Sequence, residues 1–351
     1  MKKTITFLFL LPSFISLFAQ TFSSPESVEY DAANSRWIVG QNGSGQIHIY
    51  SPLSQTLTSF ATGIASGPHG IEVLGNVVYC CDGPRIKGFD ISTGTQVVNV
   101  NLGATFLNGL TSDGVKYLFA TDFSGLRIYR FNTLNNTFNI MRTTTYTPNG
   151  IIYDGANNRC VFVCWGGTAR IQAMSLADST ISTLYTTAFS NIDGITRDPA
   201  GYWYFTPWSN NSLQRIVPNF ASAPVNVMSG LTSPADIDIN AAGDSICIPN
   251  SGSANNVVCY TGIATGVKEN ISNSMSLFPN PAKSSFNIAF TEAVINGNIS
   301  LYDVTGSEVK SVPFTGFRCT FDRGTLAAGV YFIELKNAEG TKVCMQKIIL
   351  Y

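Results

Sequence analysis

Charged residues are scarce in this chain, which rules out one broad class of function. Only 12% of the 351 residues are Asp, Glu, Lys or Arg, and 21 basic against 22 acidic side chains leave a formal net charge of −1. A protein that holds nucleic acid needs a basic face to neutralise phosphates. We therefore expect no nucleic-acid partner.

Long apolar runs are missing after the first twenty residues. The N-terminal segment has a basic start at Lys2 and Lys3, an apolar stretch from Ile5 to Phe18 and a small residue at Ala19. This pattern predicts a cleavable signal peptide over residues 1–19. No later segment has the eighteen or so uninterrupted apolar residues of a membrane helix. The mature chain is therefore predicted to be exported and to carry no transmembrane segment.

The eight cysteines include no C-x-x-C pair, so neither a zinc site nor a redox motif is indicated. Cys160 and Cys164 lie on one predicted strand, roughly 13 Å apart, beyond disulfide reach. Cys247 and Cys259 are placed to face each other across a hairpin. The other cysteines are interpreted mainly as small buried apolar residues. No nucleophile elbow or Ser-His-Asp arrangement is visible.

Glycine, proline, asparagine and β-branched residues are plentiful, and they follow a repeat. A polar residue, most often followed by Gly and an aliphatic residue, precedes a turn and β-rich runs every 39 to 44 residues. The six repeat starts are Glu26, His69, Asn108, Asn149, Asp193 and Ala235. A period near forty with about four strands is typical of a propeller blade. The sequence therefore predicts an all-β, six-bladed β-propeller over residues 22–266.

The repeat stops after Gly266, and residues 267–274 are polar enough for a linker. Alternating strands and turns then return between residues 275 and 351, for example from Ile299 to Val304 and from Val330 to Leu335. This length suits one small β-sandwich domain.

Four motifs in this last segment occur together: Ser276-Leu-Phe-Pro-Asn-Pro281, Ile299-Ser-Leu-Tyr-Asp-Val-Thr-Gly306, Leu326-Ala-Ala-Gly-Val-Tyr-Phe332 and Lys347-Ile-Ile-Leu-Tyr351. In combination they resemble the C-terminal sorting domain of type IX secretion in Gram-negative bacteria. The resemblance implies that residues 275–351 are recognised by the outer-membrane secretion machinery. It also implies a secreted or cell-surface, outer-membrane-associated protein. The alternative is an ordinary carbohydrate-binding or immunoglobulin-like sandwich.

The six repeat starts, here called the first ring, are expected to surround one mouth of the central channel. Glu26 and Asp193 offer carboxylates, and Asn108 and Asn149 offer amide oxygens, which are ligands that Ca²⁺ accepts. Mg²⁺ suits such widely spaced oxygens less well. The alternative is that Asn-Gly and Asp-Gly are present only as turn dipeptides.

A second ring is expected where the second strand of each blade ends on the same face. Its members are Gln41, Asp82, Asp122, Trp165, Trp208 and Asn250. We expect Trp165, Trp208 and Asp122 to line a substrate pocket for an apolar or ring-shaped group. Packing between adjacent blades is the alternative for the tryptophans.

At the first ring the sequence resembles the regucalcin and gluconolactonase superfamily of six-bladed propellers, which is related to the paraoxonases. The resemblance implies a catalytic Ca²⁺ on Glu26, Asn108, Asn149 and Asp193. Pro68-His69-Gly70-Ile71 is similar to the paraoxonase segment that carries a catalytic histidine. The partner histidine is absent, and Asp82 stands in its place.

The resulting hypothesis is a Ca²⁺-dependent hydrolase of a lactone or related ester. The metal would polarise the carbonyl group, and His69 would be the general base, oriented by Asp82. Asp193 is the second candidate for base or nucleophile. His48, the other histidine, is interpreted as structural. The alternatives are a non-catalytic propeller that binds a glycan, peptide or protein, and a strictosidine-synthase-like scaffold.

Overall fold

The computed structural model of the chain describes residues 22–261, 275–336 and 342–351. The predicted signal peptide, the linker at 267–274 and the predicted end of the propeller at 262–266 lie outside the described residues. What is described falls into two compact units, one on each side of residues 262–274. No helix long and apolar enough to cross a membrane occurs in the described parts of the chain.

The first unit contains six antiparallel sheets, and each is built from strands that follow one another in sequence. Blades 1 and 2 are β1 (Pro25–Asp31), β2 (Arg36–Gln41), β3 (Gln46–Ser51), β4 (Thr56–Ala61), and β5 (His69–Leu74), β6 (Val77–Asp82), β7 (Arg85–Asp90), β8 (Gln96–Asn101). Blades 3 and 4 are β9 (Leu107–Ser112), β10 (Tyr117–Asp122), β11 (Arg127–Asn132), β12 (Thr137–Thr143), and β13 (Thr147–Asp154), β14 (Arg159–Trp165), β15 (Arg170–Ser175), β16 (Ile181–Thr186). Blades 5 and 6 are β17 (Ile192–Arg197), β18 (Trp203–Pro207), β19 (Ser212–Ile216), β20 (Val225–Ser229), and β21 (Asp238–Ile239), β22 (Ser245–Asn250), β23 (Asn256–Thr261). Two single 3₁₀ turns, Gly155–Asn157 and Trp208–Asn210, complete the unit.

The ring closes by side-by-side contact between the first and last blades. The first strand of each blade contacts the first strand of the next, and β1 contacts β21. The Asp236 N–H donates to the Glu26 carbonyl oxygen at 3.1 Å, and the Tyr30 N–H donates to the Asp238 carboxylate at 2.8 Å. Blade 6 has three described strands. Among the described strands, β1 pairs only with β2. The six-bladed propeller that the repeat predicted is confirmed.

The cores lie between adjacent sheets, where aliphatic and aromatic side chains of neighbouring blades interdigitate. Cys80, Cys81, Cys160 and Cys164 are fully buried among them, as their interpretation as small apolar residues predicted. Cys247 and Cys259 lie opposite each other on β22 and β23 and form a disulfide.

Two hairpins share a short sequence pattern that forms both a turn and an ion pair. The segments Asp31–Arg36 and Asp154–Arg159 share the pattern Asp-x-x-Asn-x-Arg. Each Asp side chain accepts hydrogen bonds from the Asn amide and from the Arg Nε, all at 2.8 Å. Asp154 also accepts a hydrogen bond from Arg197 of the next blade, at 3.0 Å. These hairpins therefore tie blades together as well as turning the chain.

The second unit is a small β-sandwich-like domain of five strands. They are β24 (Met275–Phe278), β25 (Ser285–Tyr302), β26 (Glu308–Asp322), β27 (Gly329–Lys336) and β28 (Lys342–Leu350). The long β25 pairs with β24 near its start, with β27 near its end and with β26 along its length. Alternating residues such as Phe286, Ile288, Ile299 and Leu301 on β25 fill its core. This agrees with the predicted all-β architecture.

Candidate functional site

The first-ring residues lie at an irregularity that recurs in the inner strands. In blades 1 to 5 the pairing between the first and second strands shifts register at this position, for example between His69 and Ile71. A bulge of this kind re-aims a side chain away from the regular alternation. The inner strand therefore presents one side chain per blade at the same mouth of the channel.

The glycine that follows in four blades is required by packing between blades. A Cβ on Gly70 would lie 2.3 Å from the Asn108 carbonyl oxygen, and one on Gly150 would lie 2.5 Å from the Asp193 carbonyl oxygen. Neither glycine has a positive φ, and both lie inside strands. The alternative interpretation of Asn-Gly and Asp-Gly as turn dipeptides is therefore wrong, because these pairs are where adjacent inner strands meet.

Three of the predicted ligand residues form a connected row. The Asn108 Nδ2 donates to the Asn149 Oδ1 at 2.5 Å, and the Asn149 Nδ2 donates to the Ile192 carbonyl oxygen at 3.3 Å. A further hydrogen bond with Asn149 acts to lower the pKa of Asp193. All three side chains are buried. The structure thus brings together Asn108, Asn149 and Asp193 from three successive blades.

Glu26 completes this group from the other side of the channel. Its carboxylate accepts a hydrogen bond from the Ser251 hydroxyl of blade 6. Burial raises the pKa of both Glu26 and Asp193, and the Glu26 charge raises that of Asp193 further. We refer to Glu26, Asn108, Asn149 and Asp193 as the mouth cluster. Ala235 is buried and offers no side-chain ligand.

Sequence reasoning missed four more carboxylates, three on the inner strands and one just before the inner strand of blade 6: Glu29, Glu72, Asp238 and Asp236. Burial raises the pKa of all four, that of Glu72 to about 8 and that of Asp238 to about 6. No described Lys, Arg or His forms an ion pair with any of them. A signal was present, since Glu29, Glu72 and Asp238 each stand three residues after a first-ring position.

His69 is buried at the first ring, where its ring meets Phe106 edge-on at 4.7 Å between centroids. Burial lowers its pKa to about 4, and the Asp82 charge opposes this shift. Its Nδ1 has no hydrogen-bond partner in the structure. The imidazole is therefore neutral near pH 7, and its unpartnered Nδ1 is buried.

Asp82 is engaged elsewhere. One carboxylate oxygen accepts from the Ser66 N–H at 2.6 Å and the other pairs with the Lys87 Nζ at 2.8 Å. No hydrogen bond joins Asp82 to His69 in the described part of the chain. The expectation that Asp82 orients His69 is corrected accordingly, because its oxygens hold a loop and a buried lysine.

The second ring is mainly a set of loop caps. Gln41, Asp82, Asp122 and Asn250 each accept a backbone N–H from the residue three positions before the first ring. Asp122 also accepts from Phe106 and Gly125, and it is 0% exposed. Its predicted role in a substrate pocket is therefore wrong, because its oxygens are used by the backbone.

Trp165 and Trp208 differ from these caps. Both are half-buried, and their ring centroids lie 5.0 Å apart at an interplanar angle of 75°. The Trp208 Nε1 donates to the Pro234 carbonyl oxygen at 2.8 Å, and a hydrogen bond with Trp208 lowers the pKa of Asp193. Trp208 therefore connects the second ring to the mouth cluster.

No set of three or more His, Cys, Asp and Glu side chains is arranged to hold a metal ion within the described ranges. The mouth cluster has two carboxylates, so any metal there would also depend on the amide oxygens of Asn108 and Asn149.

Residues 276–351 match the family described as the secretion system C-terminal sorting domain. This match confirms the sorting domain that the four C-terminal motifs indicated. No curated protein matches the chain significantly.

Solved structures resemble the chain in fold. A luciferin-regenerating enzyme has a TM-score of 0.58 at 13% identity, over 70% of this chain and 93% of that one. A structural genomics protein of unknown function from Bacteroides thetaiotaomicron has a TM-score of 0.57 at 12% identity, over 69% and 70% of the two chains. A chain of a nidogen/laminin complex has a TM-score of 0.52 at 13% identity, over 79% and 95%. Identities this low show the fold alone. The chain is therefore a propeller protein with a C-terminal sorting domain, which indicates export to the cell surface or beyond the cell.

Proposed function

We propose that the propeller is a Ca²⁺-dependent hydrolase of lactones or related esters, acting at the mouth cluster. The observation that carries this proposal is the convergence of Glu26, Asn108, Asn149 and Asp193 from four blades on one end of the channel. Such a combination of hard oxygen donors, with a formal charge of −2, fits one Ca²⁺.

The side chains fit this ion in their chemistry. The amide oxygen of Asn149 accepts one hydrogen bond from Asn108 and keeps a second lone pair. Burial is the main reason that the pKa values of Glu26 and Asp193 are raised, and neither carboxylate has a basic partner among the described residues. When bound, Ca²⁺ would polarise the substrate carbonyl group as a Lewis acid.

We assign proton transfer to His69, and Asp193 is the second candidate. His69 is neutral near pH 7 because burial lowers its pKa, and its Nδ1 is buried without a hydrogen-bond partner among the described residues, so its role as general base requires water to enter this part of the mouth. Asp193, which lies beside both Asn149 and Trp208, is the second candidate for base or nucleophile. Enzymes occur on this fold, as the luciferin-regenerating enzyme illustrates.

The alternative is a non-catalytic propeller that binds a glycan, peptide or protein partner, or a strictosidine-synthase-like scaffold. The observation that favours a binding role is that side chains of the mouth cluster already bond to one another and to Ser251. Such a protein would retain a ligand without turning it over.

The deciding experiment measures thermal unfolding in Ca²⁺ and in chelator, together with hydrolysis of lactones and aryl esters. We expect Ca²⁺ to raise the melting temperature and to be required for turnover. Glu26→Gln and Asp193→Asn should abolish both effects. Asp178→Asn, on an exposed turn of blade 4, is the matched control. Hydrolysis that persists in chelator and in both variants would overturn the proposal.

A further inference from the structure

Four half-buried aromatic rings form a continuous row at the mouth, which we call the aromatic arc: Phe106, Phe123, Trp165 and Trp208. Successive ring centroids lie 5.8, 5.8 and 5.0 Å apart. Phe106 also contacts His69, and Trp208 interacts with Asp193. The arc therefore runs across blades 3 to 5 between the two candidate proton acceptors.

The two tryptophans interrupt a structural pattern. In the other four blades this position is a polar side chain that caps the loop before the inner strand. In blade 5 the Ser209 Oγ accepts the N–H of Ser190, the residue three positions before the first ring, and at the junction of blades 4 and 5 the Asn191 Oδ1 accepts the Gly166 N–H, both at 3.1 Å. Neither tryptophan accepts a backbone N–H as those caps do: the Trp208 Nε1 donates to the Pro234 carbonyl oxygen in the loop before the blade 6 first-ring position, and the Trp165 ring contacts Phe123 and Trp208.

The angles between the rings restrict what the arc can bind. Neighbouring planes meet at 80°, 63° and 75°. Rings that stand nearly perpendicular to one another do not form a flat platform for an extended planar ligand. Their alternating faces and edges instead suit one compact apolar group, such as a phenyl ring, that makes edge-to-face contacts.

The adjacent charge restricts the ligand further. Asp193 lies beside the arc at Trp208, and Glu26 lies across the channel from it; no described Lys or Arg pairs with either of them. An anionic ligand would be repelled there until a cation was bound. The ligand best suited to this end of the channel is therefore neutral.

We propose that the aromatic arc is a specificity subsite for a phenyl-sized apolar group on a neutral ester or lactone. This inference rests on the proposed function for the identity of the reacting group. The apolar binding step requires only the four rings, so it can be tested in the absence of metal.

The first test measures binding of 4-nitrobenzyl alcohol in the presence of chelator, with quenching of tryptophan fluorescence as the readout. Trp37 and Trp203 are buried, at 6% and 1% exposure, so quenching reports mainly on the arc. We expect saturable quenching that Phe123→Ala weakens about tenfold, since one aromatic contact contributes roughly this factor. Trp165→Leu, which keeps apolar volume, should also weaken binding.

Phe138→Ala is the matched control, because Phe138 is a partly exposed aromatic residue on the outer strand β12. It should bind the probe like the unsubstituted protein. Circular dichroism of each variant checks that the fold is retained. Absence of saturable quenching in the unsubstituted protein, or equal affinities in folded Phe123→Ala and Phe138→Ala, would overturn the subsite.

The second test compares hydrolysis of δ-valerolactone with that of its phenyl-substituted derivative. Phe123→Ala should raise KM for the phenyl derivative about tenfold more than it raises KM for the unsubstituted lactone, whereas Phe138→Ala should leave both unchanged. Arc-dependent probe binding without any hydrolysis would retain the subsite and reject the hydrolase. Hydrolysis with no phenyl preference in KM would retain the hydrolase and reject the subsite.

Discussion

This propeller contains two groups of buried carboxylates, and the groups differ in whether a basic side chain pairs with them. At the hairpins and loops, Asp31, Asp82 and Asp154 each have an Arg or Lys nitrogen within 2.8 Å. In the channel, none of the inner-strand carboxylates has such a partner in the described parts of the chain. Because an unpaired buried charge is costly, the second group contributes less to stability when it is ionised than the first group does.

The largest decrease in the free energy of unfolding is expected when a carboxylate with basic partners is removed. Asp154→Ala should lower the free energy of unfolding by about 3 kcal/mol, because two arginines of adjacent blades lose their shared partner. Urea denaturation of this variant and of the exposed-turn control Asp178→Asn provides the measurement. Equal stabilities would contradict a structural role for the paired group.

Among the carboxylates without a basic partner, those of the mouth cluster should respond most strongly to a bound cation. At a Ca²⁺ concentration one hundred times Kd, linkage predicts stabilisation of about 2.7 kcal/mol. Asp193→Asn should remove this gain, whereas Glu72→Gln should keep most of it. Calorimetric titration with Ca²⁺ distinguishes the variants. Loss of the gain in Glu72→Gln but not in Asp193→Asn would place the cation deeper in the channel.

The deeper carboxylates should make stability depend on pH. Glu72 has a pKa of about 8 in the folded state against an ordinary value of 4.5, so the native state binds more protons between these values. The free energy of unfolding therefore falls as pH rises through this window. In chelator, Glu72→Gln should be more stable than the unsubstituted protein at pH 8.5, by up to about 4 kcal/mol. If the free energy of unfolding of Glu72→Gln depends on pH in the same way as that of the unsubstituted protein, the raised pKa of Glu72 is contradicted.

His69 should give the opposite slope. Its pKa falls from 6.5 to about 4 on folding, so the unfolded state binds more protons between these values. The free energy of unfolding should therefore decrease as pH falls from 6.5 to 4, by roughly 1 kcal/mol or more. His69→Gln removes this contribution, and urea denaturation across that range measures it. If the slope is the same in both proteins, His69 is not the neutral group proposed here.

The propeller was predictable because its evidence is local and repeated. Every blade must supply the same inner strand and tight turns, so Asn, Asp and Gly recur at a period that one sequence reveals. The members of the first ring could be predicted by aligning the six repeats. The role of the second ring was predicted less well, because a polar residue at a strand end looks the same whether it caps a loop or contacts a ligand. Asp82 and Asp122 are the examples.

Phe106 and Phe123 were missed for a related reason. They stand beside repeat positions rather than on them, and only the assembled blades bring their rings against His69 and Trp165. Glu29, Glu72 and Asp238 were each visible as charges in apolar strands. Their lack of basic partners could not be predicted, since a partner can come from any blade.

The sequence by itself determined the blades, the order of the first ring and the sorting domain, because each depends on short-range pattern and composition. Tertiary structure alone decided that Asn-Gly pairs are packing points between strands and that Asp82 belongs to Lys87 and a loop. It also decided that aromatic rings from three blades form one arc. The packing points and the contacts between arc residues of different blades join residues about forty positions apart, and closure of the ring sets those distances; the partners of Asp82 are nearer in sequence, in the same blade.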